Sequence, residues 1–150
     1  MMKKRKGFTL IELLAVLVIL TVIGLIVVPI IMKTIEDAKK GSYKNSAHGI
    51  IQAAENLYAK KVIYQDTIIE NIEFTYENGA AVVEGDDGEP LPKLDFKGLE
   101  PNSGSVKIDK DGNIEIAIVY DKYCITKAFT EDIVNINDLG EGGCVINNNT

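Results

Sequence analysis

Two sets of residues have the types and spacing to do chemistry. The first is Gly7, Phe8 and Glu12. Lys3-Lys4-Arg5-Lys6 runs into Gly7, Phe8 follows, and Glu12 stands four residues on, at the head of a stretch from Leu13 to Met32 that holds no charged residue. Gly7 is a candidate cleavage point between a basic leader and an apolar segment. Glu12 is an ionisable group where an ordinary anchor has no use for one. At the bilayer centre an acidic side chain costs about 2.5–3.5 kcal/mol on insertion scales, so a carboxylate in such a segment is a functional hypothesis by default.

The second set is Cys124 and Cys144, the two cysteines of the chain. A bridge, two separate thiols, a metal site and a catalytic thiol are the alternatives. Both residues fall in the part expected outside the cytoplasm, where disulfides persist, and an even count there favours the bridge. Its loop of about twenty residues would contribute about 3 kcal/mol on the chain-entropy account. A catalytic cysteine needs an activating base. The single histidine, His48, lies elsewhere, beside an apolar helical stripe, and takes no role. Asp109-Lys110-Asp111-Gly112-Asn113 has part of a calcium-loop pattern but lacks the full spacing and the distal glutamate. A hairpin turn is the favoured reading there, and a solvated loop is the favoured reading of Glu84 to Glu89. No phosphate loop, zinc ligand set or Ser-His-Asp arrangement is present. The chain is therefore read as a non-enzyme, with no cofactor and no metal.

The element that must position Gly7, Phe8 and Glu12 is a membrane helix. At about 1.5 Å per residue, Leu13 to Met32 covers about 30 Å, the thickness of a hydrocarbon core. The four basic residues ahead of it place the N-terminus in the cytoplasm. A secretory signal has a shorter apolar region with its cleavage site after it. Here the candidate glycine precedes the run, so removal of the leader leaves the hydrophobic segment in the mature chain.

The stretch Gly7-Phe8-Thr9-Leu10-Ile11-Glu12-Leu13-Leu14 resembles the prepilin motif of the type IV pilin family, which includes the pseudopilins of secretion and competence systems. The resemblance implies cleavage between Gly7 and Phe8 by a membrane-embedded prepilin peptidase, N-methylation of Phe8, and assembly into a helical filament. Pro29 falls where pilins commonly carry a helix-loosening proline, and its companion Gly24 sits closer to it than usual. Strong resemblance covers the first third of the chain; the remainder matches in general architecture. Within this frame Glu12 supplies register, because it can pair with the new Phe8 amine of a neighbouring subunit. Both charges then lie in apolar surroundings, where an unpaired charge is costly.

Past the membrane segment, Ala47, Ile50, Ile51, Ala54, Leu57 and Tyr58 recur at helical spacing. One helix is expected from about Phe8 to about Lys61, with Pro29 bending or loosening it. Strand alternation then takes over at Ile72, Phe74 and Tyr76. Further strands are expected at Ala81-Val82-Val83, at Leu94 and Phe96, at Val106 and Ile108, from Ile114 to Tyr120, and from Tyr123 to Thr126. The segment 130–150 reads as loop, closed back on the sheet by Cys144. The fold class is α+β: a long N-terminal helix packed through its amphipathic half on an antiparallel sheet, the lollipop shape that the resemblance also implies. The expected organisation is a removed leader at 1–7, a transmembrane and filament-core helix at 8–32, an amphipathic half at 33–62 and a β-sheet head at 63–150.

Net charge is −6, unevenly placed. The leader carries +4, residues 33–62 carry +3, and residues 63–150 set six lysines against eighteen acids. An acidic head argues against direct nucleic-acid binding. The leading expectation is a pilus subunit held in the cytoplasmic membrane before assembly and extracellular after it. Its partners are other copies of itself, other pilins, the prepilin peptidase, the assembly machinery and the lipid bilayer. The alternatives are a pseudopilin of a type II secretion or DNA-uptake system, and a membrane-anchored extracellular binding module that never polymerises.

Overall fold

The computed structural model describes residues 7–65, 71–78, 80–84 and 93–146. Helix α1 spans Leu10–Gln65, 56 residues. Its length follows from an apolar run that continues directly into an amphipathic one. It extends four residues beyond the expected end at Lys61. Pro29 lies inside it without ending it. A proline removes one backbone donor, and the remaining hydrogen bonds along such a helix still carry it through. The chain packs as two units, residues 1–39 and 40–150.

In the first unit the large apolar side chains of α1, from Leu10 to Ile35, are exposed. Fully burying one such side chain is worth about 1.5–3 kcal/mol. A run of this length is therefore not a water-facing surface, and α1 is long and apolar enough to cross a membrane.

In the second unit α1 buries one face, Ala47, Ile50, Ile51, Ala53 and Ala54, against a six-stranded antiparallel sheet. The strands are β1 (Ile72–Glu77), β2 (Ala80–Glu84), β3 (Ser103–Ile108), β4 (Ile114–Tyr120), β5 (Tyr123–Lys127) and β6 (Asn135–Asp138). Their order is β2-β1-β3-β4-β5-β6. Register keeps the apolar alternation on one face. Phe74 is opposite Val106, Val106 opposite Ile116, and Ile118 opposite Ile125, which faces Ile136. A one-residue slip would turn every one of these side chains to the other face.

Two local expectations are corrected. Leu94 and Phe96 do not lie in a strand. The segment is held by α1 rather than by a ladder: residues 97–99 lie against Ser46 and Gly49. Leu94 is buried in the core, and the Leu99 N–H donates to Ser46 Oγ at 2.9 Å. The approach is close. A Cβ built on Gly49 would lie 2.6 Å from the Lys97 carbonyl oxygen, and one on Gly98, at φ 145°, 2.7 Å from Ser46 Oγ. The second correction is β6, which lies within the segment read as loop. Its Asn- and Asp-rich sequence lacks a strand pattern, and pairing with β5 rather than local propensity makes it a strand. The frayed tail expected at Asn147 to Thr150 lies outside the described residues.

Candidate processing and assembly site

Gly7, Phe8 and Thr9 are outside helical structure, and α1 begins at Leu10. The Gly7–Phe8 peptide bond therefore lies in non-helical backbone two residues ahead of the helix. A Cβ on Gly7 would meet nothing within 4 Å, and Phe8 is 85% exposed. Among the described residues, both sides of the bond are uncovered.

Thr9 stops the helix. Its carbonyl accepts from the Leu13 N–H at 3.3 Å, as an N-cap residue's carbonyl does. Glu12, in the first turn, reaches back to it. The Thr9 backbone N–H donates to Glu12 Oε2 at 2.8 Å, and the Thr9 hydroxyl donates to the same oxygen at 2.7 Å. The Glu12 N–H returns a longer bond to Thr9 Oγ1 at 3.4 Å. This is a capping box, with donors that the helix would otherwise leave without partners satisfied reciprocally. The carboxylate also stands at the positive end of the helix dipole. Thr9 was missed as a functional residue in the sequence, although Thr9-Leu10-Ile11-Glu12 carries the T-x-x-E signature that would have found it.

The chain carries the type IV prepilin signature. The prokaryotic N-terminal methylation motif matches residues 2–28, which takes in the four basic residues, Gly7, Phe8, the capping box and most of the apolar run. The prepilin signature implies peptidase processing and self-assembly, of a pilin-like or pseudopilin kind, and it fits membrane anchoring before assembly. No similarity to a curated protein or to a solved structure was found.

The other residues singled out in the sequence belong to later parts of α1 or to the second unit. Gly24 and Pro29 are both within α1, and a Cβ on Gly24 would meet nothing within 4 Å. Cys124 and Cys144 are bonded to each other, with Cα atoms 5.2 Å apart. The bridge ties the chain beyond β6 back to β5. His48 is exposed on α1.

The partial calcium loop is a hairpin turn whose acceptor is already occupied. Asp109 Oδ1 accepts from the N–H groups of Asp111 and Asn113, and Oδ2 accepts from Asn113 Nδ2. What burial Asp109 has pushes its carboxyl upward. The hydrogen bonds from Asn113, Asp111 and Gly112 outweigh it and hold the group below the usual aspartate range. The Tyr58 hydroxyl donates to the Lys110 carbonyl at 3.0 Å, which fastens this turn to α1. Among the described residues, no group of three or more His, Cys, Asp or Glu could hold a metal ion. The Glu84–Glu89 loop lies outside them beyond Glu84.

An aromatic cluster not foreseen in the sequence joins α1 to the β4–β5 hairpin. Tyr43 stacks on Tyr120 at 5.0 Å, with Tyr123 tilted against it at 6.0 Å. The Lys40 ammonium stands 5.1 Å from the centre of the Tyr123 ring. The Tyr120 hydroxyl donates to the Leu99 carbonyl at 2.7 Å. The Tyr76 hydroxyl is buried with no partner among the described residues. Burial, with a smaller contribution from the Glu100 carboxylate, pushes its ionisation up to about 12. These contacts fix the head on its helix and have no reactive geometry.

Proposed function

We propose that the chain is the structural subunit of a type IV pilus. It is made as a prepilin, cut after Gly7 by a prepilin peptidase, N-methylated at Phe8 and polymerised through its N-terminal helix. The observation that carries this reading is the combination at one helix end: an exposed Gly7–Phe8 bond in non-helical backbone, a carboxylate held in the first turn, and an apolar helix behind it that no other described residue covers. In the bilayer that helix is covered by lipid. In the filament the same side chains meet those of neighbouring copies, so lipid contacts are exchanged for protein contacts. A helical filament is an open heterologous assembly, with one patch of each subunit meeting a different patch of the next.

Cleavage creates a positive amine on Phe8, and Glu12 of a neighbouring copy neutralises it. Breaking such a buried pair on one side typically costs about 3–5 kcal/mol, whereas the intact pair adds little net stability over an apolar replacement. The pair therefore selects the axial stagger more than it strengthens the filament. Gly24 and Pro29 are the positions at which the helix loosens on assembly. The head, residues 63–150, forms the outer surface.

Processing is tested by Gly7→Val, which should leave the leader attached and Phe8 without a free amine, so that the chain stays at prepilin size in the membrane fraction. A mature-size band from this variant would overturn the cleavage assignment. Imaging of long surface filaments that contain the chain separates a pilus from a pseudopilus.

A further inference from the structure

The two Thr9 hydrogen bonds fall on one oxygen of Glu12. Oε2 accepts both the Thr9 N–H and the Thr9 hydroxyl, and among the described residues Oε1 has no hydrogen-bond partner. A carboxylate has room for about four acceptor contacts. The capping box thus occupies one oxygen and leaves the other available. Hydrogen bonds to a charged acceptor are the strong ones, and two on a single oxygen fix the rotation of the carboxylate as well as its place. A glutamate otherwise has three free side-chain torsions, so an unheld Glu12 would have to be ordered at the moment a neighbour docks.

We propose that Thr9 is a positioning residue for assembly: it holds Glu12 Oε2 within its own chain, so that Oε1 is the atom that receives the Phe8 ammonium of the next subunit. This rests on the reading of Glu12 as the inter-subunit partner of that amine. The capping box persists in the filament, and the neighbour's amine is added to it. In the unassembled chain the same two bonds and the helix N-terminus give the carboxylate polar partners inside an apolar segment, where it would otherwise have none. Thr9 acts through Glu12 and does not itself contact the neighbour's amine.

The test is co-assembly. An epitope-tagged full-length variant is expressed beside untagged wild type, and the ratio of the two is measured in sheared filaments and in membranes. Thr9→Val removes the hydroxyl and keeps the side-chain shape. It should be processed normally but depleted from filaments about tenfold, the factor that loss of one charge-assisted hydrogen bond carries. Thr9→Ser restores the hydroxyl and should return to within about twofold of wild type, since serine caps at least as well as threonine. A purely steric role for Thr9 would not be rescued in this way. Adding Thr9→Val to Glu12→Ala should deepen the Glu12→Ala depletion by less than about twofold, because residues that act through one another are not additive. Wild-type incorporation of Thr9→Val, or full multiplication of the two depletions, overturns the proposal. Wild-type incorporation of Glu12→Ala is a different pattern: it removes the amine partner itself, and the role of Thr9 falls with it.

Discussion

The two halves of α1 are continuous in the chain and opposite in how they meet the rest of the molecule. From Leu10 to Lys39 no large apolar side chain is covered, while from Ser46 to Glu55 one face is buried on the sheet and the other carries Gln52 and Glu55 to solvent. The second half is completed by its own chain. The first half leaves its apolar surface exposed among the described residues, and the proposed function covers it with lipid before assembly and with other copies after it. Sequence periodicity registers the difference. A helix apolar all round must be covered all round, and an amphipathic one needs a single partner. What the structure adds is that the polar device of the uncovered half, Thr9 with Glu12, sits at its very start.

This contrast is most severely tested by matched truncations. Phe74→Ala should lower the stability of the head by about 3–5 kcal/mol, since the ring is fully buried between strands and helix. Leu17→Ala, in the uncovered half, should leave the unfolding of the head unchanged. Thermal unfolding of the full chain in detergent checks both, and a comparable loss from Leu17→Ala would mean that the first half is packed within its own chain.

Next in size is the bridge. Cys124→Ser with Cys144→Ser should cost about 3 kcal/mol by the loop-entropy account and loosen the chain beyond β6, leaving α1 intact. Denaturant titration gives the magnitude, and hydrogen exchange shows where the loss falls. Uniform loss of protection along α1 would contradict the assignment of the bridge to the β5–β6 end of the head.

The smallest effect is a change of sign between two glycines of the same helix. Gly41→Ala should stabilise by about 1 kcal/mol, the helix-propensity difference, because a Cβ there meets nothing within 4 Å. Gly49→Ala has the same propensity gain and should nonetheless destabilise, because its Cβ would press on the Lys97 carbonyl. Equal effects at both positions would show that the crossing segment does not lie on the helix at Gly49.

Legibility in the sequence followed the reach of each determinant. The apolar run, the stripe from Ala47 to Tyr58 and the alternation in β1, β3, β4 and β5 are local patterns, and each marks an element that the structure contains. β6 was hidden because Asn135–Asp138 has one apolar residue, Ile136, and becomes a strand through its partner. Leu94 and Phe96 misled because two alternating apolar residues do not reveal whether they are buried by a ladder or, as here, by a segment held against α1. The strand order depends on long-range pairing that periodicity does not encode. At the candidate site, type and spacing single out Gly7, Phe8 and Glu12, and the matched methylation motif spans all three. Thr9 was legible too, through the T-x-x-E spacing to Glu12, and was passed over because the glutamate was read only for its charge.

The central claim is that the first half of α1 is prepared for other copies by removal of what precedes Phe8. Mass spectrometry of the N-terminal peptide from sheared surface filaments tests it most directly. The account predicts a chain that begins at Phe8, one methyl group heavier than the unmodified peptide, with no leader residues attached. A chain recovered from the filaments with residues 1–7 still in place would contradict it.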